Sequence, residues 1–132
     1  MKPYEHAKLS VKIFRAGSPE DYLPIHDFLD SSKAHFPDMR HRAILHSSFG
    51  IYLAERVFGT NIRVENHDPD PNADFWTLVS VRDIAEKHIL QDMGTIPTVQ
   101  DYLQGMPMYD WLGGRKREKV TITFTPKTVF VD

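Results

Sequence analysis

Apolar residues recur at intervals of three and four along most of this chain, and glycines, prolines and capping residues cut that pattern into short helices. Tyr4 to Arg15 reads as a first helix, with Pro3 suited to its first turn and Gly17 beyond its end. Ser18-Pro19-Glu20-Asp21 carries a cap hydroxyl, a first-turn proline and two acids, so a second helix is expected from Pro19 to Ser32. Pro24 lies close enough to its start to be tolerated or to introduce a small kink. After a break at 34–37, Asp38 can cap a third helix running from Met39 to Phe58 and closing at Gly59. At 100° per residue the apolar positions of that segment (Ile44, Leu45, Phe49, Ile51, Leu53, Val57 among them) surround the axis. A helix apolar on every side is buried on every side, so this one is expected to be central.

Beyond Gly59 the pattern changes. Ile62-Arg63-Val64 alternates like a short strand, 67–74 is an acidic, proline-containing loop, and Phe75 to Val79 reads as a strand returning from it. Ser80 caps a fourth helix, Val81 to Met93, ended by Gly94, and Thr98 to Leu103 gives a short fifth. The stretch from Gly105 to Gly114 is irregular and carries Tyr109 and Trp111. Val120 to Phe124 and Thr128 to Val131 are β-branched and aromatic around Pro126, which predicts a hairpin that could pair with the Ile62 strand. The expected fold is mostly α: a compact helical bundle around the 39–58 helix with a minor C-terminal β hairpin. Residues 1–114 would form the helical domain, and 115–132 a basic linker and hairpin tail packed on it.

Composition narrows the chemistry without naming it. The chain has 132 residues, 41% of them apolar and 26% charged, with a formal net charge of −2. That balance gives no general nucleic-acid signature, and the basic run 115–119 reads as a solvated linker. There is no cysteine, which excludes disulfides, thiolate zinc sites and thiol nucleophiles. No apolar run approaches the roughly 20 residues a membrane span needs, and no signal-peptide pattern follows Met1, so a cytoplasmic protein is expected. A homo-oligomer is compatible with all of this.

Seven histidines stand out. His26 and Asp30 are four residues apart on the second helix, and His88 and Asp92 repeat that spacing on the fourth. Side chains four apart on a helix share a face. The second pair also shares its face with Val81, Ile84 and Ala85, so it should point inward. Imidazole nitrogen with carboxylate oxygen suits zinc, manganese or iron, and bundle-core metal sites are built from facing helices. His26, Asp30, His88 and Asp92 are therefore the candidate metal ligands. Each pair could instead be a base with its orienting carboxylate, or a satisfied core hydrogen bond.

The third helix adds His41, Arg42, His46 and Glu55. If it is continuous, His41 and Glu55 lie about 21 Å apart at 1.5 Å per residue and cannot share an ion. His46, Lys33 and Glu55 are the candidate catalytic groups, and Lys33, Arg40, Arg42 and Arg82 could hold a small anionic ligand. His6 has Ser10 one turn on, while His35 and His67 fall in expected loops.

The stretches IHDFLDSSKA, RHRAILH, GIYLAERVFG and VRDIAEKHILQDMGTIPT, with DYL and a later Trp111, resemble a family of small bacterial and phage proteins known as DUF6915. The resemblance covers about Tyr4 to Trp111. It implies shared polar positions at His26, Asp30, Lys33, Arg40, His41, Arg42, His46, Glu55, Arg82, Glu86, His88 and Asp92, and it implies no activity. A weaker likeness, to HD-domain metal phosphohydrolases, rests on His26-Asp27 followed by Lys33. It would call on His6 upstream and on Asp83 or Asp92 downstream. The function expected from all this is a metal-dependent hydrolase of a small phosphorylated or nucleotide-like substrate. The alternatives are a non-catalytic nucleotide- or protein-binding module, for example in phage counter-defence, and a structural protein with a buried polar network.

Overall fold

The computed structural model describes residues 1–115. Six α-helices and one two-stranded sheet follow in order among them: α1 (Pro3–Phe14), α2 (Pro19–Leu29), α3 (Arg42–Leu45), α4 (Ser48–Phe58), β1 (Asn61–Glu65), β2 (Trp76–Ser80), α5 (Val81–Met93) and α6 (Val99–Leu103). Short 3₁₀ turns at Ser31–Ala34, Met39–His41 and Asp110–Gly113 fill the connections. Helices α1 and α2 pack as an antiparallel-style pair joined by a tight turn, and α5 lies against α1, α2 and α4.

The local signals act as their chemistry requires. Ser18 and Asp21 form a reciprocal capping box at the start of α2, and Thr98 with Asp101 does the same for α6. Ser80 Oγ accepts from the Asp83 amide at the start of α5, and Gly94 closes that helix in the left-handed conformation. The apolar interior joins Tyr22, Ile25 and Leu29 of α2 to Ile51 and Ala54 of α4, Val64 of β1, and Ile84, Ala85 and Ile89 of α5. Tyr22 also donates to the Ala16 carbonyl oxygen at 2.7 Å, which fixes the turn between α1 and α2.

Two expectations need correction. The 39–58 segment is not one helix. His46 (φ −89°, ψ 61°) leaves helical geometry, Ser47 is extended (φ −154°, ψ 171°), and α4 restarts at Ser48. Ser47 is the cause: its hydroxyl accepts from the Gly50 amide and donates to the Ile44 carbonyl, so it caps one helix while holding the end of another. Gly50 makes the corner sterically possible, since a Cβ there would overlap the Leu45 carbonyl group. Nor is α4 buried all round: Phe49, Tyr52 and Val57 are 45–59% exposed, and Ile44 of α3 is 56% exposed. Only Gly50, Ile51 and Ala54 are buried on α4, so it flanks the core rather than forming its centre.

The second correction concerns the sheet. The sheet of the described residues lies mid-chain, where β1 pairs antiparallel with β2 through Asn61↔Ser80 to Glu65↔Trp76. The 62–64 strand thus pairs with the strand that returns from the acidic loop. The C-terminal hairpin expected at 120–131, and all of the tail beyond Arg115, lie outside the described residues. Among the described residues no helix is long and apolar enough to cross a membrane.

Candidate metal centre

Below the apolar core, α1, α2, α5 and the α3–α4 corner each turn polar side chains to one point. His6 and Ser10 come from α1, His26 and Asp30 from α2 and its end, His46 from the corner, and His88 and Asp92 from α5. The four histidines and Ser10 are fully buried or nearly so, and both carboxylate side chains are at most 5% exposed. The corner is what brings His46 in. Tyr102 of α6 donates to the His46 carbonyl oxygen at 2.8 Å, and the Ser48 amide donates to the Pro97 carbonyl oxygen at 2.9 Å, so the chain after α5 pins the corner from outside.

Four donor atoms form the heart of the cluster. His88 Nε2 is 3.2 Å from Asp30 Oδ1, 3.2 Å from His46 Nε2 and 3.4 Å from Asp92 Oδ2. His46 Nε2 is 2.9 Å from Asp92 Oδ2 and 3.5 Å from Asp30 Oδ1. The remaining oxygen of each carboxylate faces outward. Asp30 Oδ2 meets Lys33 Nζ at 3.4 Å, while Asp92 Oδ1 meets His6 Nε2 at 3.1 Å and the Arg42 guanidinium at 3.9 Å. The other nitrogen of His6 is 2.6 Å from Gln91 Oε1.

Burial and pairing compete over the charge on each group. Burial alone would raise Asp92, but hydrogen bonds from His46, His6 and His88 prevail and hold it far below the usual carboxylate range. Asp30 follows the same pattern: the His88 hydrogen bond and the charges of His88 and Lys33 overcome burial, and its pKa is lowered. His88 is pushed up despite its burial, because Asp30 and Asp92 both favour its charged form. His26 has no carboxylate at hydrogen-bond distance; burial and the neighbouring His88 lower it to about 3. Burial also lowers His46, against the pull of Asp92. His46 Nδ1 and Arg42 Nε are buried without a hydrogen-bond partner among the described residues.

Asp30, His46, His88 and Asp92 could hold one metal ion, each offering one atom within a common small sphere. Four ligands placed tetrahedrally about zinc at about 2.0–2.1 Å lie about 3.3 Å from one another. The five separations given above run from 2.9 to 3.5 Å. Five of the six edges of such a tetrahedron are thus within a few tenths of an ångström of that length, and all four atoms lie within 4.8 Å of one another.

The chain belongs to the DUF6915 family. The model of that family, described as a domain of unknown function, matches residues 1–112, which takes in every residue of the cluster. No curated protein and no solved structure matches the chain.

The candidate residues named from sequence separate into two groups. His26, Asp30, His46, His88 and Asp92 are brought together, with Lys33 and Arg42 at the rim. Arg40 instead makes an exposed fork with Asp38, at 2.7 Å, outside the cluster. Glu55 pairs with Arg82 at 3.4 Å across the α4–α5 seam, one side chain a quarter exposed and the other more than half, and neither contacts the cluster. The reason is axial: Glu55 sits two turns along α4 from the corner that carries His46. Asp27, which an HD-type doublet would need beside His26, is exposed. His41 is buried and its ring Nδ1 lies 2.8 Å from the Asp38 carbonyl oxygen, while its edge meets the His46 ring.

Sequence reasoning gave His6 a part only in the HD-type likeness and Ser10 none, and it passed over Gln91. The signal was there on α1: His6, Ala7 and Ser10 are the face it buries, with two polar residues one turn apart, while Tyr4 and Ile13 are exposed. Two polar residues one turn apart on the buried face of a helix point to a polar interior beside the apolar one.

Proposed function

We propose that this domain binds one divalent transition-metal ion, zinc being the first choice, through Asp30 Oδ1, His46 Nε2, His88 Nε2 and Asp92 Oδ2. The observation that carries this reading is the set of five ligand-to-ligand separations between 2.9 and 3.5 Å, which match five of the six edges of a tetrahedron around such an ion. Hydrogen bonds to the carboxylates alone would not also bring the two imidazole nitrogens, His46 Nε2 and His88 Nε2, within 3.2 Å of each other. Two aligned acceptor nitrogens 3.2 Å apart are favourable only with a proton or a metal between them.

The same geometry supports a closed, fold-stabilising centre before a catalytic one. Closed sites use four protein ligands, whereas catalytic ones keep a position for water or substrate. Hydrolysis of a small phosphorylated or nucleotide-like substrate is the second reading, favoured by one feature of the rim. Arg42 sits 3.9 Å from Asp92 with its Nε unpartnered, and Lys33 holds Asp30 from the solvent side. Release of Asp30 toward Lys33 would open one ligand position beside two cations suited to an oxyanion.

Protein purified without a nickel column and analysed for metals should contain about one zinc, manganese or iron per chain, and Asp30→Ala and Asp92→Ala should remove it. A folded wild-type chain that takes up none of these ions in titration would overturn the reading and leave a buried polar network. Turnover of a generic phosphodiester or phosphomonoester probe that disappears on chelation would promote hydrolysis to first place. A metal-loaded protein inert to such probes would favour the closed centre.

A further inference from the structure

We infer that Ser10 and His26 are positioning residues that fix the ring of His88 in the tautomer a metal ligand needs; this deepens, and rests on, the metal reading above. The argument is a count of protons. Ser10 Oγ lies 3.1 Å from the His6 carbonyl oxygen and 2.8 Å from His26 Nε2. A hydroxyl has one proton to give, and a carbonyl oxygen can only accept, so the serine proton goes to His6. His26 Nε2 must then carry the proton of its own contact with Ser10. Neutral His26, so protonated, presents a bare Nδ1, and that atom faces His88 Nδ1 at 2.8 Å. The proton between them belongs to His88. The nitrogen left to His88 for an ion is Nε2, the atom that faces Asp30, His46 and Asp92.

Every link is dry: His6, Ser10, His26 and His88 are each at most 1% exposed, so no water competes for the order of donors. The ring of His6 stacks on that of His88 with centroids 3.8 Å apart and keeps its plane from rotating. Metal-binding histidines are commonly held in this way by a partner on their other nitrogen. The order of protons also gives His26 a different part from the one its spacing suggested. His6, His26 and His88 offer atoms close enough to one another for an ion. Yet both His26 nitrogens are engaged by Ser10 and His88, and His6 and His88 are stacked rather than convergent. His26 therefore serves the centre through His88 and does not ligate. His46 supplies the internal contrast, since its Nδ1 has no hydrogen-bond partner among the described residues.

The decisive measurement is imidazole ¹⁵N NMR on the zinc-titrated wild-type protein, read beside zinc affinity from competition with a chromogenic chelator. His88 should show a protonated Nδ1 and a metal-shifted Nε2, and His26 a protonated Nε2 and bare Nδ1. Ser10→Ala should weaken zinc about tenfold and His26→Phe about 10- to 100-fold, while His26→Gln, which keeps an acceptor, recovers part of the loss. Ligation of zinc by His88 Nδ1 or by His26, or wild-type affinity in both Ser10→Ala and His26→Phe, would overturn the inference and leave the metal centre standing. Failure of the wild-type chain to bind zinc would instead remove the metal reading and this role together. The wild-type spectrum decides the question even if a variant does not fold.

Discussion

Helices α2 and α5 each serve two interiors. One face of α2 gives Tyr22, Ile25 and Leu29 to the apolar core, and the next positions along, His26 and Asp30, belong to the polar cluster. On α5, Ile84, Ala85 and Ile89 face the apolar side, and His88 and Asp92 the polar side. Both interiors are equally dry, but they are built on different terms. In the apolar one each side chain touches many interchangeable neighbours, so a small loss is shared. In the polar one partners are few and specific. Asp92 meets His6, His46 and His88 at once, and Asp30 shares only the last two of these. The difference predicts a tolerant core beside an intolerant one on the same two helices.

The sharpest way to break that contrast is Asp92→Ala. Removing one partner of a buried charged network costs about 3–5 kcal/mol, and urea denaturation should show a loss of that size together with loss of bound metal. A loss below about 1 kcal/mol would show that the polar side is as tolerant as the apolar one.

Acidification of metal-free protein should come next. His26 is lowered to about 3 and His46 is also lowered, so the unfolded chain takes up protons that these folded rings refuse. Stability should therefore fall as pH drops below about 6.5, by about 2 kcal/mol at pH 5 from His26 alone at about 1.36 kcal/mol per unit. His88, raised, contributes in the opposite sense: its stabilisation is complete below about 6.5 and is lost as pH rises through its folded value. The lowered carboxylates keep their contribution down to about pH 4 and lose it only below that. Two lowered rings against one raised ring give a net loss on the acid side. Thermal melts in chelator from pH 7.5 to 5 check the sign, and a rising melting temperature on acidification would reverse it.

Ile89→Val probes the other interior on the same helix. It should cost about 0.5–1.5 kcal/mol and leave metal stoichiometry unchanged. The smallest effect belongs to Glu55→Ala, whose partner Arg82 is more than half exposed. About 0–1 kcal/mol is expected there, with no change in metal affinity. A change in metal affinity would tie Glu55 to the centre.

These residues also show how far a single sequence could be read. The pairs His26/Asp30 and His88/Asp92 were legible because helical spacing turns four residues into one shared face; α5 runs where its cap and glycine place it, and α2 starts at its cap but ends at Leu29, short of the expected Ser32. The α3–α4 corner was not. Periodicity sees apolar residues on every side of 39–58 and predicts a central helix, whereas the decisive event is a single serine hydroxyl with a neighbour on each side. Gly50, which a helix reading treats as a minor cost, was the clue that two backbones approach there. The axial separation of Glu55 from His41 was legible, but which turn of the segment meets the cluster was not, as spacing on one helix says nothing of which turn meets which site. The parts of Ser10 and Gln91 depended on how α1 lies across α2 and α5, a tertiary fact that no local pattern carries.

The two carboxylates in the cluster have one more consequence. Two negative ligands and two neutral rings cancel the charge of a divalent ion, so a dry interior can accept it with little electrostatic cost. A trivalent ion would leave an uncompensated positive charge there, and Lys33 and Arg42 at the rim would add to the repulsion. If the proposed ion is bound, that balance of charge favours a divalent ion over a trivalent one.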